Sequence, residues 1–325
     1  MKNYITGFIL LGTLLIASAC NEEWKEEVYR KEIGLKAQVN SEGVTNVYLP
    51  YEENGEFVYQ LPVIAGGSTV NGEDLDIHIA VDPDTLIDLN EARWKLRTDL
   101  YYQELKEQFY EFPSPVCRIQ AGESVGLFDI KFKLKDLDLR EKWVLPLTIV
   151  DDHSYVPNPR KNYRKALLRV MPYNDYSGSY SATGMQVYME GNKDQPISIS
   201  TRNLYVVDEK SCFFYAGIIS EELADREKYK VKVTFHADGS LTLRSVDLQN
   251  KMNFQPKGTP RYETTVIPDK TIPYLEHHYT TVYIEYTYND VSTYEGHPIS
   301  YEAKGSMVME RMINPLVPER DQIQW

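Results

Sequence analysis

The chain reads as an all-β protein of two domains, a β-sandwich followed by an antiparallel β-barrel or β-sandwich. Three observations carry that reading. Apolar and polar residues alternate with period two at Leu75–Val81 and again over residues 124–134, as in half-buried strands. Tyrosine, a good strand former, occurs 25 times. A turn-rich stretch, Pro172-Tyr173-Asn174-Asp175-Tyr176-Ser177-Gly178, separates two runs of strand candidates.

The elements follow in order. Residues 44–50 and 56–63 are strands flanking the turn-prone Glu53-Asn54-Gly55. Leu75–Val81 and residues 124–134 alternate cleanly, 142–150 is a more continuous apolar strand, and 162–171 closes the unit. Residues 84–109 are rich in Leu, Glu, Lys and Arg and predict one helix or two short ones. Residues 28–172 are therefore expected to form an immunoglobulin-like sandwich with a short helical insertion. Beyond the boundary, strands are expected over 179–189, 197–207, 212–218, 229–235, 241–246, 280–288 and 299–312. Asp238-Gly239 between two of them suits a type I′ hairpin turn. Local connections favour an up-and-down meander over residues 173–325, closed as a barrel or packed as a sandwich.

The N-terminus carries an address. Lys2 precedes an apolar run over residues 5–16, and Ala17-Ser18-Ala19 stands directly before Cys20. That order is a secretory signal over residues 1–19. The run is shorter than the roughly 20 residues a spanning helix needs. The segment resembles a bacterial lipobox, with Ala17 where the commonest form has Leu; the resemblance implies that Cys20 is lipidated. Residues 20–27 then form an acidic tether with Glu22, Glu23, Glu26 and Glu27. It resembles the surface-export signal of Bacteroidetes lipoproteins, which implies the cell-surface side of the outer membrane.

The net charge is −13, from 35 basic and 48 acidic side chains. Such a chain repels phosphate backbones, so nucleic acid is not an expected partner. Anionic headgroups repel it too, leaving the lipid to hold it on the membrane. After Cys20 only Cys117 and Cys212 remain, in different expected domains, which predicts buried free thiols rather than a disulfide framework.

Several short motifs together resemble Bacteroidetes outer-surface lipoproteins of polysaccharide-utilisation systems. They are Val47-Tyr48-Leu49-Pro50, Ala80-Val81-Asp82-Pro83, Ile119-Gln120-Ala121-Gly122-Glu123-Ser124, Trp143-Val144-Leu145-Pro146-Leu147 and the terminal Gln322-Ile323-Gln324-Trp325. In that group an N-terminal immunoglobulin-like domain of unknown function precedes a variable C-terminal one. The resemblance implies glycan capture at the cell surface and delivery to an outer-membrane transporter, alongside other surface lipoproteins. It supplies no catalytic or binding residues.

No phosphate loop, dinucleotide fingerprint, serine elbow or zinc-protease helix is present, so no catalytic residue, metal or cofactor is assigned. The 153 residues after position 172 are too few for a TIM barrel of roughly 250. Asp74, Asp76, Asp82 and Asp84 lack the spacing of a calcium loop and read as surface charge. His277 and His278 are adjacent, so on a strand they point to opposite faces and suit one metal poorly.

Glycan binding needs aromatic planes edged by polar groups, and two regions offer them. One is the insertion with Trp94, Tyr101 and Tyr102, where packing against the sandwich is the competing role. The other is Tyr274, His277, His278 and Tyr279 with Tyr294, expected on loops. The expected function is non-catalytic glycan binding. The alternatives are an interaction lipoprotein that binds another outer-membrane protein, and a small glycoside hydrolase using an unrecognised acid pair.

Overall fold

The computed structural model describes residues 29–52, 55–139, 141–294 and 296–317. The signal, the Cys20 lipidation position, the acidic tether and the terminal Gln322-Ile323-Gln324-Trp325 lie outside them. The chain is predominantly β, and among the described residues no helix is long and apolar enough to cross a membrane.

The first unit runs β1 (Ile33–Leu35), β2 (Thr45–Pro50), β3 (Glu56–Ala65), β4 (Leu75–Val81), α1 (Pro83–Trp94), β5 (Gln103–Glu104), β6 (Tyr110–Glu111), β7 (Val116–Ile119), β8 (Val125–Lys133), β9 (Trp143–Ile149), the single helical turn α2 (Lys161–Arg164) and β10 (Lys165–Tyr173). Two sheets form, ordered β1-β3-β8-β6 and β2-β10-β9-β4-β7, with β5 beside β9. Their inward residues share one core that includes Leu61, Val63, Ile77, Phe128, Ile130, Leu145 and Leu168. Alternation in β8 buries every second residue, whereas β9 is buried on nearly every residue because α1 covers its second face.

Pro83 occupies the first turn of α1, where its missing N–H costs nothing. The helix stops at Lys95, which adopts φ +51°. Leu86 and the partly buried Leu89 dock it against Val44, Tyr102, Val144 and Leu167. The region expected to hold helix or helices thus has one helix, followed by 3-10 turns at Thr98–Leu100 and Glu107–Phe109. Residues 162–164, expected as strand, belong to the turn α2.

The second unit runs β11 (Gly178–Met189), β12 (Asn192–Ser198), β13 (Thr201–Asp208), β14 (Ser211–Tyr215), β15 (Lys230–Phe235), β16 (Leu241–Ser245), β17 (Gln255–Pro268), β18 (Glu276–Asp290) and β19 (Ile299–Ile313). Their order, β16-β15-β14-β13-β11-β19-β18-β17, is a meander that nearly closes into a barrel. A single bridge, Ser240 to Arg261, and the Tyr262 N–H on the Gly239 carbonyl (2.8 Å) join the two ends. The interior is filled by Tyr180, Tyr229, Tyr286, Tyr288, Phe214 and Phe235. The interior is therefore a packed core rather than a lumen. The Asp238-Gly239 hairpin is not type I′, since Gly239 alone has positive φ (+83°) and the Gly239 N–H bonds the His236 carbonyl. That is the longer hairpin loop with glycine at the left-handed position.

The core changes between Val170 and Tyr180. The linking residues are pinned by Arg311 of β19, which donates to the carbonyls of Asn174 (2.7 Å) and Ser177 (2.5 Å). Cys117 and Cys212 are free and buried, one in each core.

Candidate functional site

In β18 the even-numbered residues from Thr280 to Asp290 are buried inside the barrel. The odd-numbered ones consequently face outward: His277, Tyr279, Thr281, Tyr283, Glu285 and Thr287. The sandwich covers the outer side of β13 and β14, where Tyr205, Phe213 and Tyr215 face Lys142 and Arg169. In the ring of eight strands β14 stands across from β18. The outward row of β18 therefore lies on the side turned away from the sandwich.

Register brings partners from four strands onto this face. Gln186 of β11 pairs with Lys304 of β19, Lys304 with Glu285 of β18, and Glu285 with Lys257 of β17. The neighbouring row is Gly184, Ser306, Tyr283 and Arg261. Each row spans roughly 14 Å across the strands. All of these but Ser306 line an open groove of about 570 Å³. Two glycines stand at it, and at φ +135° a Cβ on Gly305 would lie 2.1 Å from the Gly184 carbonyl oxygen. The Arg261 guanidinium stacks 4.0 Å from the Tyr283 ring centre, and the Lys304 ammonium lies 5.1 Å from that of Tyr188.

Further along the same row, His277 and Tyr279 have near-parallel rings 6.3 Å apart. His277 contacts Asp269 through Nε2 (2.8 Å) and Glu310 through Nδ1 (2.5 Å), and the Tyr279 hydroxyl donates to Glu310 (2.9 Å). Two carboxylates, Asp269 foremost, hold the imidazole above its ordinary pKa. In return His277 holds Asp269 down at about 2 and Glu310 below the usual carboxylate range. The cluster clips the 269–275 loop, which carries the exposed Tyr274, onto the sheet.

The structure separates several of the residues singled out from sequence. His277, His278 and Tyr279 lie in β18, not on a loop, because backbone pairing extends that strand to Glu276 on both sides. His278 points away from His277 and contacts Glu276 (2.9 Å). Tyr274 precedes β18 and Tyr294 follows it, so roughly 45 Å of strand separates them. One site cannot hold both. Tyr102 is core: it is 2 % exposed, its backbone N–H and C=O bond the Asn90 amide, and its hydroxyl donates to Glu42. The Tyr101 hydroxyl is spent on the Lys95 carbonyl, and Arg93 and Lys142 lie over the Trp94 ring. Of the three, Tyr102 alone belongs to the core, while Trp94 and Tyr101 are partly buried. Asp74, Asp76 and Asp82 are each engaged, by the Ala121 N–H, Arg118 and Lys165 respectively.

Sequence reasoning missed Tyr283 as a surface residue, along with Arg261, Lys257 and Lys304. A signal existed: Thr281, Glu285 and Thr287 share its parity, marking that face as the wet one. Two other depressions fit a glycan less well. The crevice between sandwich and barrel holds about 60 Å³, room for a few waters and far below an ordinary ligand site. A depression of about 570 Å³ along β15 and β16 is walled by Leu243, Val246 and Leu248, and its rings, Phe213 and Phe254, are almost wholly buried.

A model for a domain of unknown function, DUF4973, matches residues 24–153, and a second model, described only as "-like, C-terminal", matches residues 164–308. No curated protein matches. Among solved structures, a Bacteroides ovatus protein of unknown function is 46 % identical with TM-score 0.81, over 91 % of this chain and all of that one. An auxiliary nutrient binding protein from Bacteroides thetaiotaomicron is 38 % identical with TM-score 0.79, over 89 % and 97 %. A further Bacteroides ovatus protein of unknown function is 32 % identical with TM-score 0.78, over 93 % and 97 %.

Proposed function

Since the chain belongs to the family of these Bacteroides proteins, we propose that it is a non-catalytic nutrient-binding protein whose ligand is a glycan. The single observation that supports this most is the outward row of β18. It sets His277, Tyr279 and Tyr283 among hydrogen-bonding side chains on the face opposite the sandwich. The relative described as an auxiliary nutrient binding protein agrees with such a role. The groove is open along its length, as capture of an extended chain requires. The sandwich acts as a spacer, and Cys20 carries the lipid that holds the protein on the outer face of the outer membrane.

Binding on a glycan array without turnover, weakened about tenfold or more by Tyr283→Ala, is the expected result. Silence across plant, host and microbial glycans counts against the reading. The anchor is tested separately, by loss of Cys20→Ala protein from the outer-membrane lipoprotein fraction.

A specific feature favours a second reading, docking to another protein of the transport complex. On the outer face of β3 and β8, Val125 and Leu127 are about half exposed and pair with Ile64 and Pro62. Leu127→Glu should then abolish co-purification with the neighbouring outer-membrane transporter while leaving glycan binding intact.

A further inference from the structure

The charge of the groove departs from that of the molecule. The chain as a whole carries −13. The groove is lined by three cations, Lys257, Arg261 and Lys304, against one carboxylate, Glu285. Glu302 at the rim is shared between Lys193 (3.4 Å) and Lys257 (3.9 Å), and Glu263 stands 3.5 Å from Arg261. These separations are longer than charge-assisted hydrogen bonds, so the cations keep donor capacity. Lys304 has no carboxylate within 4 Å among the described residues and rests over Tyr188. It sits at the centre of the lining, between Gln186 and Glu285 in register.

Resting on the glycan-binding reading, we infer that this groove selects an anionic polysaccharide, with Lys304 as its anion contact and Arg261 and Lys257 beside it. The chain's net negative charge disfavours a polyanion overall, so a cationic groove both attracts and orients it. Gln186 and the Tyr283 hydroxyl supply neutral hydrogen bonds to sugar hydroxyls along the same rows. The open ends accept the interior of a chain rather than its terminus. The shared chemistry is a carboxylate or a sulfate on the sugar.

The test is calorimetry of the mature full-length chain with polygalacturonate, chondroitin sulfate and a neutral mannan, at low and high salt. The expected result is binding to one of the two charged polymers, weakening as salt rises. Lys304→Gln should weaken it about tenfold, with Lys257→Gln giving a smaller loss. Which polymer binds distinguishes carboxylate from sulfate. Binding of mannan alone, insensitive to salt and to Lys304→Gln but lost in Tyr283→Ala, overturns the inference and leaves the glycan-binding reading standing. No binding to any polymer overturns both.

Discussion

The Arg226 guanidinium bonds Asp99 twice across the junction of sandwich and barrel, once at the carboxylate (2.9 Å) and once at the backbone carbonyl (2.5 Å). Arg97 pairs with the same carboxylate and donates to the Glu222 carbonyl, so the 97–99 turn and the 222–226 loop form one clamp. The two arginines hold Asp99 well below the usual carboxylate range.

Breaking this clamp should loosen the junction more than it destabilises either unit. Asp99 is about one-third exposed, and such pairs contribute at most about 1 kcal/mol. Arg226→Ala is expected to leave the thermal midpoint within a few degrees while raising the radius of gyration in solution scattering. An unchanged scattering curve would mean that Arg311 and the β10 to β13 packing suffice.

The His277 clip should make local stability depend on pH. The raised imidazole pKa contributes stability that is complete below the unfolded value near 6.5 and is lost as pH rises through the folded value. Asp269 and Glu310, both lowered, contribute above their unfolded values near 4 and lose it as pH falls toward about 2. The clip is therefore strongest between about pH 4.5 and 6.5. The hydrogen-exchange protection of the 269–275 loop, taken relative to the intrinsic rate at each pH, should be highest in that window, and His277→Gln should flatten the profile. A wild-type profile without the window would sink the idea.

Gly305→Ala should be among the most damaging glycine substitutions. At φ +135° its Cβ would meet the Gly184 backbone oxygen at 2.1 Å, forcing β11 and β19 apart, at a cost of about 2–4 kcal/mol. Gly258→Ala, at φ +62° with its nearest neighbour at 3.5 Å, should cost only about 1–2 kcal/mol. Urea melts compare them directly, and equal losses would contradict the close approach.

The two ends of β18 should behave differently toward any established glycan. Tyr283→Ala is expected to weaken affinity about tenfold, and Tyr294→Ala, beyond the far end of the strand, to leave it unchanged. The reverse result would move the site to the 290–298 loop.

Neither thiol should react in the folded protein. Burial pushes Cys117 up to about 11 and raises Cys212 further. Labelling by a thiol reagent at pH 8 should appear only on unfolding; prompt labelling of either would place it at the surface.

Much of the strand map is legible in the sequence, because burial on one face of a sheet imposes an alternation that local composition records. Leu75–Val81 and β8 are read from that pattern almost to the residue. β17 is not. Pro256, Pro260 and Pro268 interrupt it, and its residues are mostly exposed on both faces, so it carries no apolar period. It is a strand because β18 supplies its backbone partners over most of its length. β12, exposed throughout, is hidden for the same reason.

The sequence by itself determined the all-β character, the turn-rich junction and the period of two along β18, since each depends on neighbours in the chain. Tertiary structure alone decided that Tyr102 is core and Tyr283 is surface, that Tyr274 and Tyr294 stand far apart, and that Lys257, Arg261, Lys304 and Gln186 meet on one face. Periodicity fixes which residues of a strand point the same way. It does not fix which side is buried or which strands lie alongside, because those follow from closure of the barrel and from the sandwich packed against β13 and β14.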